Sequence, residues 1–289
     1  MFNRKHFAFG LLTLAALLSI QAAQAEDKFI TLASTTSTQN SGFFDYFLPL
    51  FKQKTGVEVR VVAVGTGQAI KLGEKGDADV LLVHDKAGEM KFVEQGFGID
   101  RREVMYNDFL IVGPKADPAL IKGGKDAIKA LKQISLAKQA FVSRGDDSGT
   151  HRQELRLWKE AGIDPKTAMA DQYKEAGAGM GAVLNMATGM NAYTLADRAT
   201  WVTFKNRKDL DLLIEGDPRL FNQYSVILVN PAKHPHVKEK EARAFSDWMI
   251  SAEGQKAIAG FKVEGQTLFN PNYKPAEDVK KPRKAARLH

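Results

Sequence analysis

Between an apolar run ending at Val142 and an amphipathic run beginning near Gln153 lies Ser143-Arg144-Gly145-Asp146-Asp147-Ser148-Gly149-Thr150-His151-Arg152. The pattern predicts a strand, a tight loop and the start of a helix. A helix start leaves backbone N–H groups unpaired and carries partial positive charge, so it attracts anions. Ser148 and Thr150 add hydroxyls, and Arg144 adds a forked donor that never loses its charge. The same residue types also serve structure alone, with Asp147 or Ser148 as an N-cap and Arg144 as the partner of Asp146. A second junction of the same character tips the balance. Ala33-Ser34-Thr35-Thr36-Ser37-Thr38-Gln39-Asn40-Ser41-Gly42 follows the strand-like Phe29-Ile30-Thr31-Leu32 and precedes an apolar-rich run from Phe43 to Phe51. Neither junction holds a candidate metal cluster. Two half-sites for one anion are the economical reading.

The rest of the chain supplies a frame for such junctions. Phe43, Phe44, Phe47, Leu48 and Phe51 have helical spacing, which predicts a helix over 43–54 closed by Gly56. The β-branched, alternating run 57–64 predicts a strand, and Gly65-Thr66-Gly67 turns it into a short helix through Lys75. That turn lacks the third glycine of a dinucleotide fingerprint. It is either a place where backbone approaches a ligand or a plain strand-to-helix turn. Residues 78–83 read as a strand buried on both faces and 86–95 as a helix; such alternation predicts a parallel sheet with helices on both sides.

Further strands are expected at 108–114, 191–197 and 210–214, and helices at 126–138, from 153 to 160, and after the glycines of 177–181. The methionines of that last helix read as core filler. Tyr193 is either a donor or a packed aromatic. The apolar run 223–231 ends in proline as 109–114 does, and two such strands around a self-contained α/β block are what two hinge crossings look like. Lobe one is expected at 27–112 and 226–279, and lobe two at 113–225. Two final helices are expected over 237–250 and 253–259.

With 289 residues, 44% of them hydrophobic and 26% charged, the chain is long enough for two lobes with separate cores. Arg4, Lys5 and His6, an apolar run from Phe7 to Ile20 and Ala23-Gln24-Ala25 make residues 1–25 a secretory signal peptide. The run is short for a membrane span. No cysteine is present, so neither a disulfide framework nor a lipid-modified cysteine is possible, and a free periplasmic protein is expected. The formal charge of +7 belongs to the ends: two basic residues precede the cleavage site and five lie in the tail 280–289, which leaves a neutral body. A solvated tail is the simpler reading, and no nucleic-acid partner is expected.

Catalysis is not expected. A hydrolase built on Ser148 and His151 is the alternative of another class, but both sit on one early helical turn, no orienting acid is placeable and the Gly-x-Ser-x-Gly elbow is absent. His84, His234 and His236 are too sparse for a metal site and read as solvent-exposed.

These stretches resemble the periplasmic tungstate-binding proteins of ABC importers, from about Lys28 to Asn270. The resemblance rests on Ser34-Thr35-Thr36-Ser37-Thr38, Val64-Gly65-Thr66-Gly67-Gln68-Ala69, Asp79-Val80-Leu81-Leu82-Val83-His84 and the stretch 143–151. Members usually place three threonines before the serine of the first motif; here Ser34 takes the first place and keeps a hydroxyl. The resemblance implies a two-lobed α/β fold of the type II periplasmic binding class, each lobe a mixed sheet flanked by helices, joined by two hinge strands. It implies oxyanion contacts from Thr35, Thr36, Ser37, Arg144 and Thr150, with further contributions from Thr66, Ser148 and Gly149. The expected partners are tungstate or a related oxyanion and an ABC permease. No cofactor is expected, and tungsten would be bound only as its oxyanion. The Arg-x-Asp-x-Ser-Gly-Thr pattern also looks like that of phosphate-binding proteins. Phosphate keeps a proton at neutral pH and needs an acceptor, for which Asp85 is a candidate; Asp85 is otherwise a helix cap.

Overall fold

A computed structural model describes residues 28–274; the signal-peptide expectation for 1–25 and the tail 280–289 fall outside the described residues. β1 (Phe29–Thr35) stops at Thr35, whose hydroxyl accepts the Thr38 N–H and caps the five-residue α1 (Thr36–Asn40). α2 (Phe43–Thr55) is bracketed by Gly42 and Gly56, both in the left-handed region at φ 79° and 72°, where a side chain would be strained. β2 (Glu58–Val64), α3 (Thr66–Lys75), β3 (Val80–Val83) and α4 (Lys86–Glu94) complete the first α/β block.

β4 (Gly98–Pro114) is much longer than the predicted strand 108–114, because it serves two sheets. Its first part pairs with β9 (Phe221–Val229), and its last residues pair with β7 (Thr194–Asp197) and β8 (Leu210–Ile214). Between these lie α5 (Ala127–Leu136), β5 (Phe141–Ser143), α6 (Gly149–Glu160), α7 (Pro165–Met169), β6 (Tyr173–Glu175), α8 (Met180–Met190) and α9 (Arg198–Thr203). α10 (Glu239–Ile250) and α11 (Ala252–Gly260) follow β9, and β10 (Lys262–Val263), β11 (Gln266–Thr267) and β12 (Asn270–Pro271) close the described chain.

The larger sheet runs β12-β4-β9-β3-β1-β2 and is mixed, as the resemblance implies, with the parallel pairing read from the strand–helix alternation found among β1, β2 and β3. β1 is parallel to β2 and β3, but β9 is antiparallel to both β3 and β4. The cause is topological. β4 leaves this lobe for the other, and β9 must run the opposite way to bring the chain back. The C-terminal ends of β1, β2, β3 and the first part of β4 therefore all face the second lobe. β7 returns toward the same boundary, with Asp197 opposite Phe109, and β5 lies parallel to the segment leading into β7 through the Phe141 to Tyr193 bridge. Strand ends, and hence helix starts, from both lobes meet in one cleft.

Four buried clusters hold this arrangement, one on each face of the two sheets. The helical spacing of α2 places Phe43, Phe44, Phe47 and Phe51 on one buried face. Phe47 packs 4.6 Å from Trp248, and Phe51 lies 5.2 Å from Phe245. In the second lobe Phe141 meets Trp158 edge-on at 5.3 Å. Met180 fills core as expected, whereas Met186 and Met190 are exposed, so the core-filler reading of α8 holds only for its first methionine.

Phe47 is fully buried between the sheet and Trp248. Phe47→Ala should lower the unfolding free energy by about 3–5 kcal/mol, the usual cost of removing a buried ring, measured by urea denaturation.

Candidate functional site

The first lobe contributes three chain turns to the cleft. At the first, Thr35, Ser37 and Thr38 are buried and Thr36 is half-buried. Thr35 Oγ1 lies 3.1 Å from Ser37 Oγ and 2.8 Å from Thr38 Oγ1, so the hydroxyls form one connected cluster at the start of α1. Ser34, the residue that departs from the usual threonine, donates to the Leu82 carbonyl at 2.6 Å and serves the sheet. At the second turn Thr66 opens α3, fully buried, with its hydroxyl unpartnered. The third is the end of β3, where His84 stands.

His84 is buried, contrary to the exposed histidine expected from the sequence. Its ring stacks on Tyr224 at 4.6 Å, and burial holds its pKa down at about 4, so the imidazole is neutral at neutral pH. Asn222 Nδ2 donates to Asn107 Oδ1, which turns Asn222 Oδ1 toward His84 Nδ1 at 3.0 Å. Nδ1 therefore carries the proton, and Nε2 accepts the Thr35 hydroxyl at 3.2 Å. The only sequence signal for His84 was its place after a buried strand; its partners are 49 and 138 residues away.

The second lobe contributes the junction 143–152. Ser148 is the N-cap of α6, its hydroxyl accepting the His151 N–H at 3.2 Å. Arg144 is 2% exposed; its Nη2 donates to Asp146 at 2.5 Å while its Nε has no partner. Asp146 also accepts the Ser148 N–H at 3.2 Å. Burial works against that carboxylate, but these bonds outweigh it and hold its pKa below the ordinary range. Thr150 is buried, with its hydroxyl also unpartnered. Ser148 thus caps and Arg144 pairs, as the structural alternative for this loop has it, yet buried donors remain. Tyr193 stands apart, with its hydroxyl between the Ala119 N–H and Asp117 in the second core.

Gly149 shows how near the two halves come. A Cβ there would stand 2.6 Å from His84 Cε1 and 3.1 Å from Thr66 Oγ1, both in the other lobe. The start of α6 therefore abuts the start of α3 and the end of β3, in a closed cleft. Thr66, Thr150 and Arg144 bring buried N–H or O–H groups that no protein atom accepts, each costing about 1–3 kcal/mol if left so. The carboxylates around them are engaged. Asp85 accepts Arg152 and Arg156, Asp146 accepts Arg144 and Ser148, and Asp197 accepts the N–H and hydroxyl of Thr200. Asp85, expected as a phosphate acceptor or a helix cap, sits at the N-cap position of α4 without a capping hydrogen bond. His151 turns its Nδ1 to the Asp147 N–H at 3.1 Å, away from the role of base to Ser148. His234 and His236 bond the carbonyls of Glu74 and Gly76. Among the described residues no group of three or more metal-ligating side chains occurs.

A two-lobed α/β chain with helix starts, hydroxyls and the Arg144 guanidinium converging between its lobes is a binding protein for a small anion. Residues 21–253 match the family model described as a PBP superfamily domain. The tungstate-binding protein TupA of Peptoclostridium acidaminophilum is 51% identical over 257 residues, 88% of each chain. TupA of Campylobacter jejuni is 39% identical, over 84% of this chain and 90% of its own. Among solved structures, the tungstate-binding protein TupA of Desulfovibrio alaskensis superposes with a TM-score of 0.76 at 45% identity, over 86% of this chain and all of its own. The tungstate ABC transporter structure from Geobacter sulfurreducens gives 0.73 at 52% identity, over 81% and 98%. The chain belongs to the tungstate-binding protein family within the PBP superfamily.

The burial of His84 has a consequence for stability. The folded ring stays neutral down to about pH 4, whereas the unfolded ring takes up a proton near pH 6.5. The unfolded state binds more protons in that window, so this contribution is complete above pH 6.5 and is lost as pH falls to 4, roughly 3 kcal/mol in all. Glu89 and Glu154, buried carboxyls with pKa raised to about 7, act in the opposite sense over part of the range. The comparison with His84→Gln removes them. Urea unfolding at a series of pH values should show the variant gaining stability relative to the parent as pH falls from 6.5 to 4.

Proposed function

We propose that this chain binds tungstate in the periplasm and delivers it to the permease of an ABC importer. The observation that carries the proposal is the set of buried, unpartnered donors, Thr66 Oγ1, Thr150 Oγ1 and Arg144 Nε, in a cleft whose carboxylates already hold donors of their own. A site of this kind suits a fully deprotonated tetrahedral dianion. Arg144 supplies full charge, Thr66, Ser148, Gly149 and Thr150 supply hydroxyls and helix-start N–H groups, and Thr35, Thr36 and Ser37 complete the first lobe's half. The Thr35 proton is directed at His84, so its hydroxyl orders the cluster from which α1 begins. The family supports tungstate as the cargo. It also supports a carrier without catalysis, in keeping with the His151 ring being engaged away from Ser148. Cleavage after Ala25 releases the chain on the outer face of the inner membrane.

Calorimetric titration with tungstate, molybdate, sulfate and phosphate tests this directly. Tungstate should bind tightly, and phosphate more weakly by about 1–3 kcal/mol, because its protonated oxygen finds no free acceptor. Phosphate displacing tungstate at equal concentration would overturn the donor-only site. Tungstate at a thousand times its Kd should stabilise the fold by about 4 kcal/mol and raise Tm by several degrees.

Arg144→Ala should cost about 2–5 kcal/mol of tungstate binding, since a desolvated charge loses its partner, and Arg144→Lys should recover little because the planar fork is gone. Unchanged affinity in both variants would leave Arg144 as the structural partner of Asp146 alone.

A further inference from the structure

Away from the anion contacts, one carboxylate receives two guanidinium groups across the boundary between the lobes. Asp85 closes β3 in the first lobe and is 2% exposed. Its Oδ2 accepts Arg152 Nη1 at 2.8 Å and its Oδ1 accepts Arg156 Nη1 at 2.9 Å, both from α6 of the second lobe. Burial alone would raise the Asp85 pKa, and the two arginines more than offset it, so the carboxylate is charged. Arg152 is held on its other side by Asp147, with Nε to Oδ1 and Nη2 to Oδ2 both at 2.8 Å. Two carboxylates and two guanidinium groups thus form a network of zero net charge.

The helices of the first lobe are bare where Arg152 crosses them. A Cβ on Gly67 would collide with Asp147 Oδ2 and Arg152 Nη2, and one on Gly88 would lie 2.9 Å from Asp85 Oδ2 and 3.4 Å from Arg152 Nη1. The start of α6, with Ser148, Gly149 and Thr150 at the anion site, is one turn from Arg152 and two from Arg156. One rigid helix therefore presents anion donors at its tip and the arginines farther along. Seating the tip on an anion brings Arg152 and Arg156 into register with Asp85.

We propose that Asp85, Arg152 and Arg156 are an interlobe latch: positioning residues that touch no anion atom but favour the closed form and set how slowly the anion leaves. This rests on the tungstate-binding reading above. Asp85 and the arginines belong to different lobes, so their contacts exist only while the cleft is shut. Opening returns Asp85 to water and leaves the second lobe with one extra positive charge. Contacts confined to the closed state raise its population, and the apparent Kd is the intrinsic value divided by that population. Opening must precede release, so the effect falls mainly on the dissociation rate.

The test measures tungstate affinity by calorimetry and tungstate release by competition, for the parent protein, Asp85→Asn, Arg156→Gln and the double variant. Arg156 is half-exposed, which keeps its variant a fair test of the latch rather than of folding. Each single variant should release tungstate faster, Asp85→Asn by about tenfold or more, with the association rate little changed. The double variant should fall short of the product of the two single effects, because both act through one ion-pair network. Parent-like release rates in both single variants, or effects that multiply independently, would overturn the latch. A parent protein giving no heat with tungstate would instead overturn the binding reading, whatever the variants do.

Discussion

A guanidinium that cannot shed its proton, 2% exposed and with its buried Nε–H unpaired, is the constraint to which the rest of the cleft answers. Asp146 balances the charge of Arg144 from within the same loop, yet leaves Nε and the neighbouring Thr66 and Thr150 hydroxyls without acceptors. Buried donors without acceptors are costly, and an anion with several acceptor oxygens would satisfy them at once. That chemistry explains the surroundings. Each nearby carboxylate is tied to a cation or a helix start, so none competes for the donors or repels the cargo.

Topology delivers these groups to one place. Parallel strands end on the same side, helices begin where strands end, and each helix start leaves unpaired N–H groups. The lobes face each other with these ends, so α1 and α3 from one lobe meet α6 from the other. Residues that line the cleft then also hold its framework together. Ser148 caps α6 where that helix enters the cleft, and Thr35 caps α1 while giving its proton to His84.

The His84 chain ties this loop to the strands that join the lobes. Asn107 lies on β4 and Asn222 opposite it on β9, and through them the orientation of His84, and of Thr35 beyond it, is referred to the two crossing strands. Asp85, the next residue, reaches across to α6. Neighbouring positions at the end of β3 thus face inward to the first lobe's own framework and outward to the other lobe.

The sequence by itself determined the local parts of this protein. Helical spacing placed Phe43, Phe47 and Phe51 on one buried face, Gly56 marked where α2 ends, and two hydroxyl-rich junctions stood out, one of them with Arg144. Each of these depends on residues within a few turns of one another. The tertiary structure alone decided the direction of β9, the burial of His84, and the fate of Asp85, which its local position could present only as a cap or an acceptor. Those outcomes rest on partners far apart in the chain, 49 and 138 residues for His84 and 67 for Asp85 to Arg152, whose approach is fixed by how two sheets share β4 and not by any pattern along the chain.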